Sequence, residues 1–487
     1  MATRKAISAG IWSTIDLSAR LGIHFFVSIA LARILTPTDF GIFALVMFFV
    51  AISQVLVDRG LATALIQSEA PSLEQKTSLF WHTILFSLFL GLVTAAIAPA
   101  FADYFGYPVL EPLLYVCAAI VPTSALASIP TALLQRDLRF DVIAKAGLAA
   151  STLSAVAAIA AALYGAGVWS FAAQAATYSL ANSCLIWRMG RWNPLPRLHL
   201  GAALPLVRFG SFVTLTSLVD VVYTNGASLI IGRLHGARDL GFYNRAQNLQ
   251  NLPGNILAAI VTRVALPLFS AKVGDREALR SGVRLVQGTI MLINLPLMAA
   301  LAIIPDLVIQ FLYGPKWLFA APILRILAVG GILFPLQVVN MQLVLSQGRS
   351  GLSFKIEFLK KIIGLAALLI GSLHGLEGMA IGQAVSVYLG FFINAAVTGR
   401  MIGYSPGAQL KDLSGIGAIT AVMTGTVLAV RPLLGYGNDI DLLLLALLGG
   451  AIFVICAVLL RIGIIDELIE MTPLRRFAHR IPTVFKR

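Results

Sequence analysis

Asp16, Arg20 and His24 stand four residues apart inside an apolar stretch, IWSTIDLSARLGIHFFVSIALARI, residues 11–34. On a helix this spacing puts a carboxylate, a guanidinium and an imidazole on one face. The planar fork of an arginine can make two parallel hydrogen bonds to a phosphate, and a histidine can take up a proton near neutral pH. The stretch is long enough to cross a bilayer. At 1.5 Å per residue, Arg20 lies roughly 14 Å below residue 11, near the middle of a roughly 30 Å hydrocarbon core. A charge at that depth is unfavourable by at least about 2.5–3.5 kcal/mol unless it faces protein or water. The stripe fits two arrangements: the wall of an interior polar cavity, or an Asp16–Arg20 pair that neutralises itself and only helps helices pack.

The elements that must position these groups follow from composition. Of 487 residues, 58% are hydrophobic and 12% are charged, half the charged share of a soluble domain, and the mean hydropathy is +0.88. The chain reads as an all-α integral membrane protein, since its long unbroken apolar runs exclude the alternation of a β-barrel. About fourteen spans are expected, near 11–34, 40–57, 79–99, 109–132, 145–164, 168–187, 209–232, 240–262, 283–304, 320–345, 354–373, 377–398, 413–431 and 441–461. The first is too long for the apolar core of a signal peptide and lacks a small-residue cleavage site, so no cleaved leader is expected. With these spans, Lys and Arg concentrate in the N-terminus, the even-numbered loops and the C-terminal tail. That asymmetry puts both termini in the cytoplasm. The net charge of +14 then belongs to cytoplasmic loops and anionic lipid head groups, not to nucleic acid. Cys117, Cys184 and Cys456 fall in apolar runs without a CxxC and read as small core residues.

Further polar residues interrupt the spans. Gln54 and Asp58 share a face of the second, although Asp58 followed by Arg59 also reads as an interfacial ion pair. The seventh carries Asp220, and the eighth carries Arg245 and Asn248, with Arg245 close enough to the outer end to snorkel. Gln174, Gln287, Asn294, Gln337, Asn340, Gln383 and Asn394 are single uncharged groups expected to hydrogen-bond between helices. The substrate-cavity candidates are therefore Arg20, Asp16, His24, Asp220, Arg245, Asn248, Gln54 and Asp58. There is no HExxH, no GxxxxGK[ST] loop and no outward loop large enough for a catalytic region, so neither an enzyme nor direct ATP drive is expected. The loop around 305–319 is the longest outward one. The tail after Arg461 combines apolar residues with an Arg/Lys cluster and is expected to lie on the cytoplasmic leaflet or to be partly disordered.

The chain also repeats itself. At an offset of 200, Gly10 matches Gly210, Arg33 matches Arg233, Asp39 matches Asp239 and Gly41 matches Gly241. Both blocks read as the turn between the first two spans of a unit. Six spans separate them, and an even number preserves orientation, which predicts two parallel six-helix lobes and an extra helix pair. The expected divisions are 1–200, 201–405 and 406–487, with the Pro- and Arg-rich RMGRWNPLPRLHL as the link between lobes. Two facing lobes describe alternating access. The offset also pairs Arg20 with Asp220 at equal depth and opposite charge. The two are expected to attract one another when the cleft is closed or empty; alternatively, Arg20 pairs only with Asp16 and Asp220 holds a coupling cation.

The segment ARILTPTDFGIFALV followed by VDRGLATALIQ closely resembles the start of Wzx-type polysaccharide and lipopolysaccharide flippases. These belong to the multidrug/oligosaccharidyl-lipid/polysaccharide exporter superfamily. LLQRDLRF (133–140) and FLYGPKWLFAAPILRIL (311–327) resemble other segments of its colanic-acid-exporter-like branch. The resemblance runs from about residue 4 to 460. It implies translocation of an undecaprenyl-pyrophosphate-linked oligosaccharide to the outer leaflet of a bacterial inner membrane, through a cationic central cavity, with a groove at spans 13–14 for the lipid tail. It implies the lipid-linked oligosaccharide and membrane lipids as partners, with other polysaccharide-assembly proteins beside them. No cofactor is implied, and a coupling ion, H+ or Na+, stays open. The rival readings are a small-cation or drug exporter on the same fold, whose cavity would be dominated by acidic residues, and a membrane polysaccharide polymerase or ligase.

Overall fold

A computed structural model describes residues 2–58, 65, 71–195, 204–435 and 437–459, and every regular element among them is helical. The tail after Arg461, the Asp58–Arg59 pairing and most of the second half of the RMGRWNPLPRLHL segment lie outside the described residues. Among the described residues, eleven helical stretches are long and apolar enough to cross a membrane. Large apolar side chains such as Leu92 and Leu447, each 71% exposed, cover their outer faces, as lipid contact requires and water contact would penalise. The chain forms two compact units, residues 1–244 and 245–487.

The first unit contains α1 (Ala2–Ile34), α2 (Pro37–Asp58), α3 (Leu73–Phe105), α4 (Leu110–Arg136), α5 (Phe140–Leu163), α6 (Trp169–Gly190), α7 (Leu204–Leu234) and the start of α8 (Gly236–Ser270). In α5 all the buried positions but Val142 are small: Ala144, Ala146, Gly147, Ala150, Ser151, Ser154, Ala158 and Ala162. Small side chains let α1 and α6 approach α5 closely, which is how helices gain packing energy where lipid is as apolar as protein. Buried Cys117 fits its expected role, whereas Cys184 is exposed. Phe80, Trp81, Trp187 and Trp192 cluster edge-on. Trp187 Nε1 donates to the Leu126 carbonyl at 2.8 Å and Trp81 Nε1 to that of Leu195 at 3.1 Å, so the first residues of the link are tied to the unit.

The two repeated blocks meet each other in this unit. A Cβ on Gly41 would collide with the carbonyl oxygen of Ala237, and one on Gly241 would collide with that of Pro37. Residues 37 and 237, and 41 and 241, are related by the offset of 200. The contact is therefore reciprocal, as at a two-fold axis, and only glycine permits it. The two copies are capped differently. In the first, Thr36 N and Oγ1 donate to Asp39 Oδ2 at 2.9 and 2.6 Å, and Asp39 N donates to Thr36 Oγ1 at 3.3 Å, a reciprocal cap of the start of α2. In the second, Gly236 (φ 86°) replaces the threonine. There Tyr107 Oη accepts from Ala237 N at 2.9 Å, and the guanidinium of Arg233 lies 4.8 Å from the Tyr104 ring centre.

The second unit continues α8 and adds α9 (Arg276–Ile303), α10 (Pro305–Tyr313), α11 (Ala321–Gly331), α12 (Phe334–Ser346), α13 (Ser350–Ser372), α14 (Gly375–Ile402), α15 (Pro406–Asp412), α16 (Ser414–Val430) and α17 (Asn438–Leu459). Two expectations change here. The span near 320–345 is broken between α11 and α12, because Pro335 has no N–H for the Gly331 carbonyl one turn back. Asn294 Nδ2 supplies the missing donor, at 3.3 Å from Gly331 O and 2.9 Å from Ile332 O. The expected outward loop 305–319 is instead α10 followed by a 3-10 turn (Pro315–Ala320). Its Trp317 is completely buried.

Other single amides tie helices together as expected. Gln337 Nε2 donates to Val387 O at 2.7 Å, and Asn394 Nδ2 to Gln337 O at 3.1 Å. Gln287 and Asn340 both donate to Gln409 Oε1 at 3.0 Å. Arg431 holds the start of the last connection in place, donating to Ile303 O at 3.0 Å and pairing with Asp306.

Two outcomes follow from these contacts. Asn294→Ala leaves freed carbonyls unsatisfied in a dry interior and should cost roughly 1–3 kcal/mol, read as a lower midpoint in thermal unfolding of the purified protein. An unchanged midpoint would mean that the break needs no donor. Gly41→Ala and Gly241→Ala should each cost about 1–3 kcal/mol by overpacking. In the same assay Gly22→Ala, where an added Cβ meets nothing within 4 Å, should be neutral or slightly stabilising.

Candidate functional site

The polar stripe of α1 faces protein for part of its length. Asp16 is buried at 7% exposure, Arg20 keeps a third of its side chain exposed, and His24 is exposed. Arg20 Nη2 pairs with Asp16 Oδ2, and Arg20 Nη1 donates to Tyr178 Oη of α6 at 3.5 Å. Gly147 of α5 backs the pair: a Cβ there would sit 3.4 Å from both Arg20 Nη1 and Asp16 Oδ1. The small-residue run of α5 thus lets the charged pair lie against a helix backbone, and Tyr178 fixes its far side. Neither Gly147 nor Tyr178 was singled out from sequence, although the run AKAGLAASTLSAVAAIAAAL marks α5 as a close-packing helix.

This geometry determines what the pair can do. The two charges cancel, which lowers the cost of holding either at mid-bilayer depth. A guanidinium has five N–H donors in a rigid fork, and Asp16 and Tyr178 do not use them all. Asp16 Oδ1 is buried and, among the described residues, accepts no hydrogen bond. A second anion could therefore take the remaining donors or displace the carboxylate.

The other candidates lie elsewhere. Gln54 on α2 is exposed and lines a cavity of about 210 Å3 with Cys117, Ser124 and Ser128 of α4. The two serines add polar groups that the sequence reading had not marked. Asp58 closes α2, and its side chain lies outside the described residues. Asp220 is exposed in the middle of α7, where Thr224 Oγ1 donates back to its carbonyl at 2.8 Å. In the second unit, Arg245 is half-buried on α8 and close to Tyr313. Burial pushes the Tyr313 phenol above its ordinary pKa, and the Arg245 charge partly offsets this. Asn248, nearly one turn further along α8, is exposed. Among these candidates, Asp16 and Arg20 are bonded directly to each other.

Comparison with known proteins agrees with a carrier of this kind. Residues 30–322 match the family described as polysaccharide biosynthesis protein. The lipopolysaccharide biosynthesis protein WzxC of Escherichia coli is 27% identical over 400 residues, covering 80% of each chain. The succinoglycan biosynthesis transport protein ExoT of Rhizobium meliloti is 26% identical over 395 residues, covering 81% of this chain and 78% of its own. In fold, the chain is similar to the lipid II flippase MurJ in an inward closed conformation, with a TM-score of 0.75 at 15% identity over 93% of this chain and 99% of MurJ. The family match extends over more than half of the sequence, and the chain belongs to the polysaccharide biosynthesis protein family.

Proposed function

We propose that the chain is a flippase. It carries an undecaprenyl-pyrophosphate-linked oligosaccharide from the cytoplasmic to the outer leaflet of a bacterial inner membrane, by alternating access, for exopolysaccharide or lipopolysaccharide synthesis. The observation that carries this reading is the Arg20 guanidinium, seated against Gly147 inside the first span of a member of this family. A pyrophosphate and its sugars cannot cross hydrocarbon unaided, whereas the prenyl tail can stay in lipid. The protein must supply a cation at depth that is tolerable when no cargo is present. Asp16 provides that neutrality, and substrate phosphate takes its place on Arg20.

Asp220 occupies the position equivalent to Arg20 in the second repeat. It is proposed to attract Arg20 when the cleft is closed or empty, in exchange for the Asp16 and Tyr178 contacts. His24 and Asp220 are the groups proposed to take up a coupling ion, H+ or Na+. Arg245, Asn248, Gln54 and Asp58 complete the proposed cavity set. Fourteen spans are proposed. Besides the eleven stretches that qualify by length and apolarity, α6, α7 and α13 have 22, 31 and 23 residues, enough to cross. The spans group as two six-span lobes, 1–200 and 201–405, and a final pair with the tail, 406–487. Both termini are placed in the cytoplasm by the positive-inside rule.

Reporter fusions test the topology. A reporter active only in the cytoplasm should work at the C-terminus, and one active only outside should work at Gly165; the opposite result at either place breaks the count. Deletion of the gene in a host without a second flippase should lower surface polysaccharide and leave the lipid-linked unit on the inner leaflet, and normal surface polysaccharide would refute the function. In complementation, Gly147→Ala should export normally, since its methyl meets only ordinary contacts. Gly147→Leu, which displaces Arg20, and Arg20→Ala should each lower export at least roughly tenfold at matched expression. Normal export by Arg20→Ala would make Arg20 structural.

A further inference from the structure

A second basic site lies in the second unit. The ends of α9, α13 and α14 surround a cavity of about 420 Å3, with Arg276, Arg349, Arg400 and Gln347 among its lining residues. Neighbouring arginines are already engaged: Arg284 Nε lies 3.2 Å from Asp412 Oδ2, and Arg280 lies 5.5 Å from the Tyr404 ring centre. Among the described residues, none of the three cavity arginines pairs with a carboxylate. The nearby Asp275 instead caps α9, accepting from Glu277 N and Ala278 N at 3.0 and 2.9 Å. Arg349, the residue before α13, offers no side-chain cap, so the first N–H groups of α13 also remain available as donors.

The rest of the cavity is apolar. Leu279, which lines it, belongs to a buried core together with Ile402 and Tyr404. Leu352 of α13 also lines it. Leu359 and Ile370 fall on the same helical face as Leu352 and are 47% and 64% exposed. An apolar track therefore runs from the arginines along a membrane helix. A soluble phosphate needs the arginines alone; a lipid needs both features.

We propose that this cavity binds the phosphate of an anionic phospholipid, held by Arg276, Arg349 and Arg400, with an acyl chain along the Leu352–Leu359–Ile370 face of α13. The site rests on the chain spanning a membrane, and on neither the transported substrate nor the direction of transport. A protein that flips its substrate yet binds no lipid here would fail only this proposal.

The test titrates the purified full-length chain in detergent with phosphatidylglycerol, phosphatidylcholine or glycerol phosphate and counts bound lipid by native mass spectrometry. Wild type should retain phosphatidylglycerol in preference to phosphatidylcholine. The variant Arg276→Gln/Arg349→Gln/Arg400→Gln should lose at least roughly tenfold in affinity for it. The corresponding triple lysine variant should keep an intermediate affinity, which separates loss of charge from loss of fold. Unchanged lipid binding in the glutamine variant would overturn the site. Release of the lipid by millimolar glycerol phosphate would show a soluble phosphate as the ligand and overturn the lipid assignment.

Discussion

The structure depends on one constraint: no charged or hydrogen-bonding group inside hydrocarbon can rely on water. Arg20 meets it through Asp16, with Tyr178 as a second acceptor and the bare backbone side of Gly147 giving the pair room. The carbonyls freed by Pro335 meet it through Asn294. The amides of Gln337, Asn340 and Asn394 meet it by bridging helices. Apart from the Asp16–Arg20 pair within α1, a polar side chain on one helix serves another, so packing and polar satisfaction are one problem. A carrier of phosphate must break this economy at one place, keeping a cation that can exchange partners. The partly exposed Arg20, paired with a buried carboxylate that has an oxygen to spare, has that character.

The reciprocal glycine contact shows how the repeat was put to use. Gly41 against Ala237 and Gly241 against Pro37 bring the starts of α2 and α8 together with almost no side chain between them. Yet the copies are held by different means, a Thr36–Asp39 cap in one and Tyr107 with Tyr104 in the other. The contact keeps its symmetry where backbones touch and loses it where side chains hold them. The glycines have no smaller substitute, whereas each cap can be built from other side chains.

Much of the fold was legible from sequence because bilayer thickness converts apolar length directly into helices. The Asp16–Arg20–His24 stripe was legible because four-residue spacing is local. The partner that Arg20 takes was among the arrangements its own helix allowed. Three things were not readable. The break after Gly331 depends on Asn294 from another helix to make it tolerable, so the apolar run around Pro335 looked continuous. The outward segment 305–319 looked like a loop because Pro305, Gly314 and Pro315 punctuate it, but burial of Tyr313 and Trp317 folds it into helix and 3-10 turn. Tyr178 and Gly147 lie more than 120 residues away from Arg20 in sequence, and only tertiary packing brings them to the pair. The three-arginine cavity was hidden for the same reason, its members being spread over three inter-helix junctions.

The central claim is that a guanidinium at mid-depth in α1 receives the pyrophosphate of a lipid-linked oligosaccharide. Its most direct test reconstitutes the purified chain in vesicles carrying that lipid in the leaflet from which transport starts, and follows the appearance of the sugar on the other side. The account predicts flipping by wild type, a slower rate with Arg20→Lys, and little above the protein-free rate with a folded Arg20→Ala protein. Flipping by Arg20→Ala at the wild-type rate would contradict it.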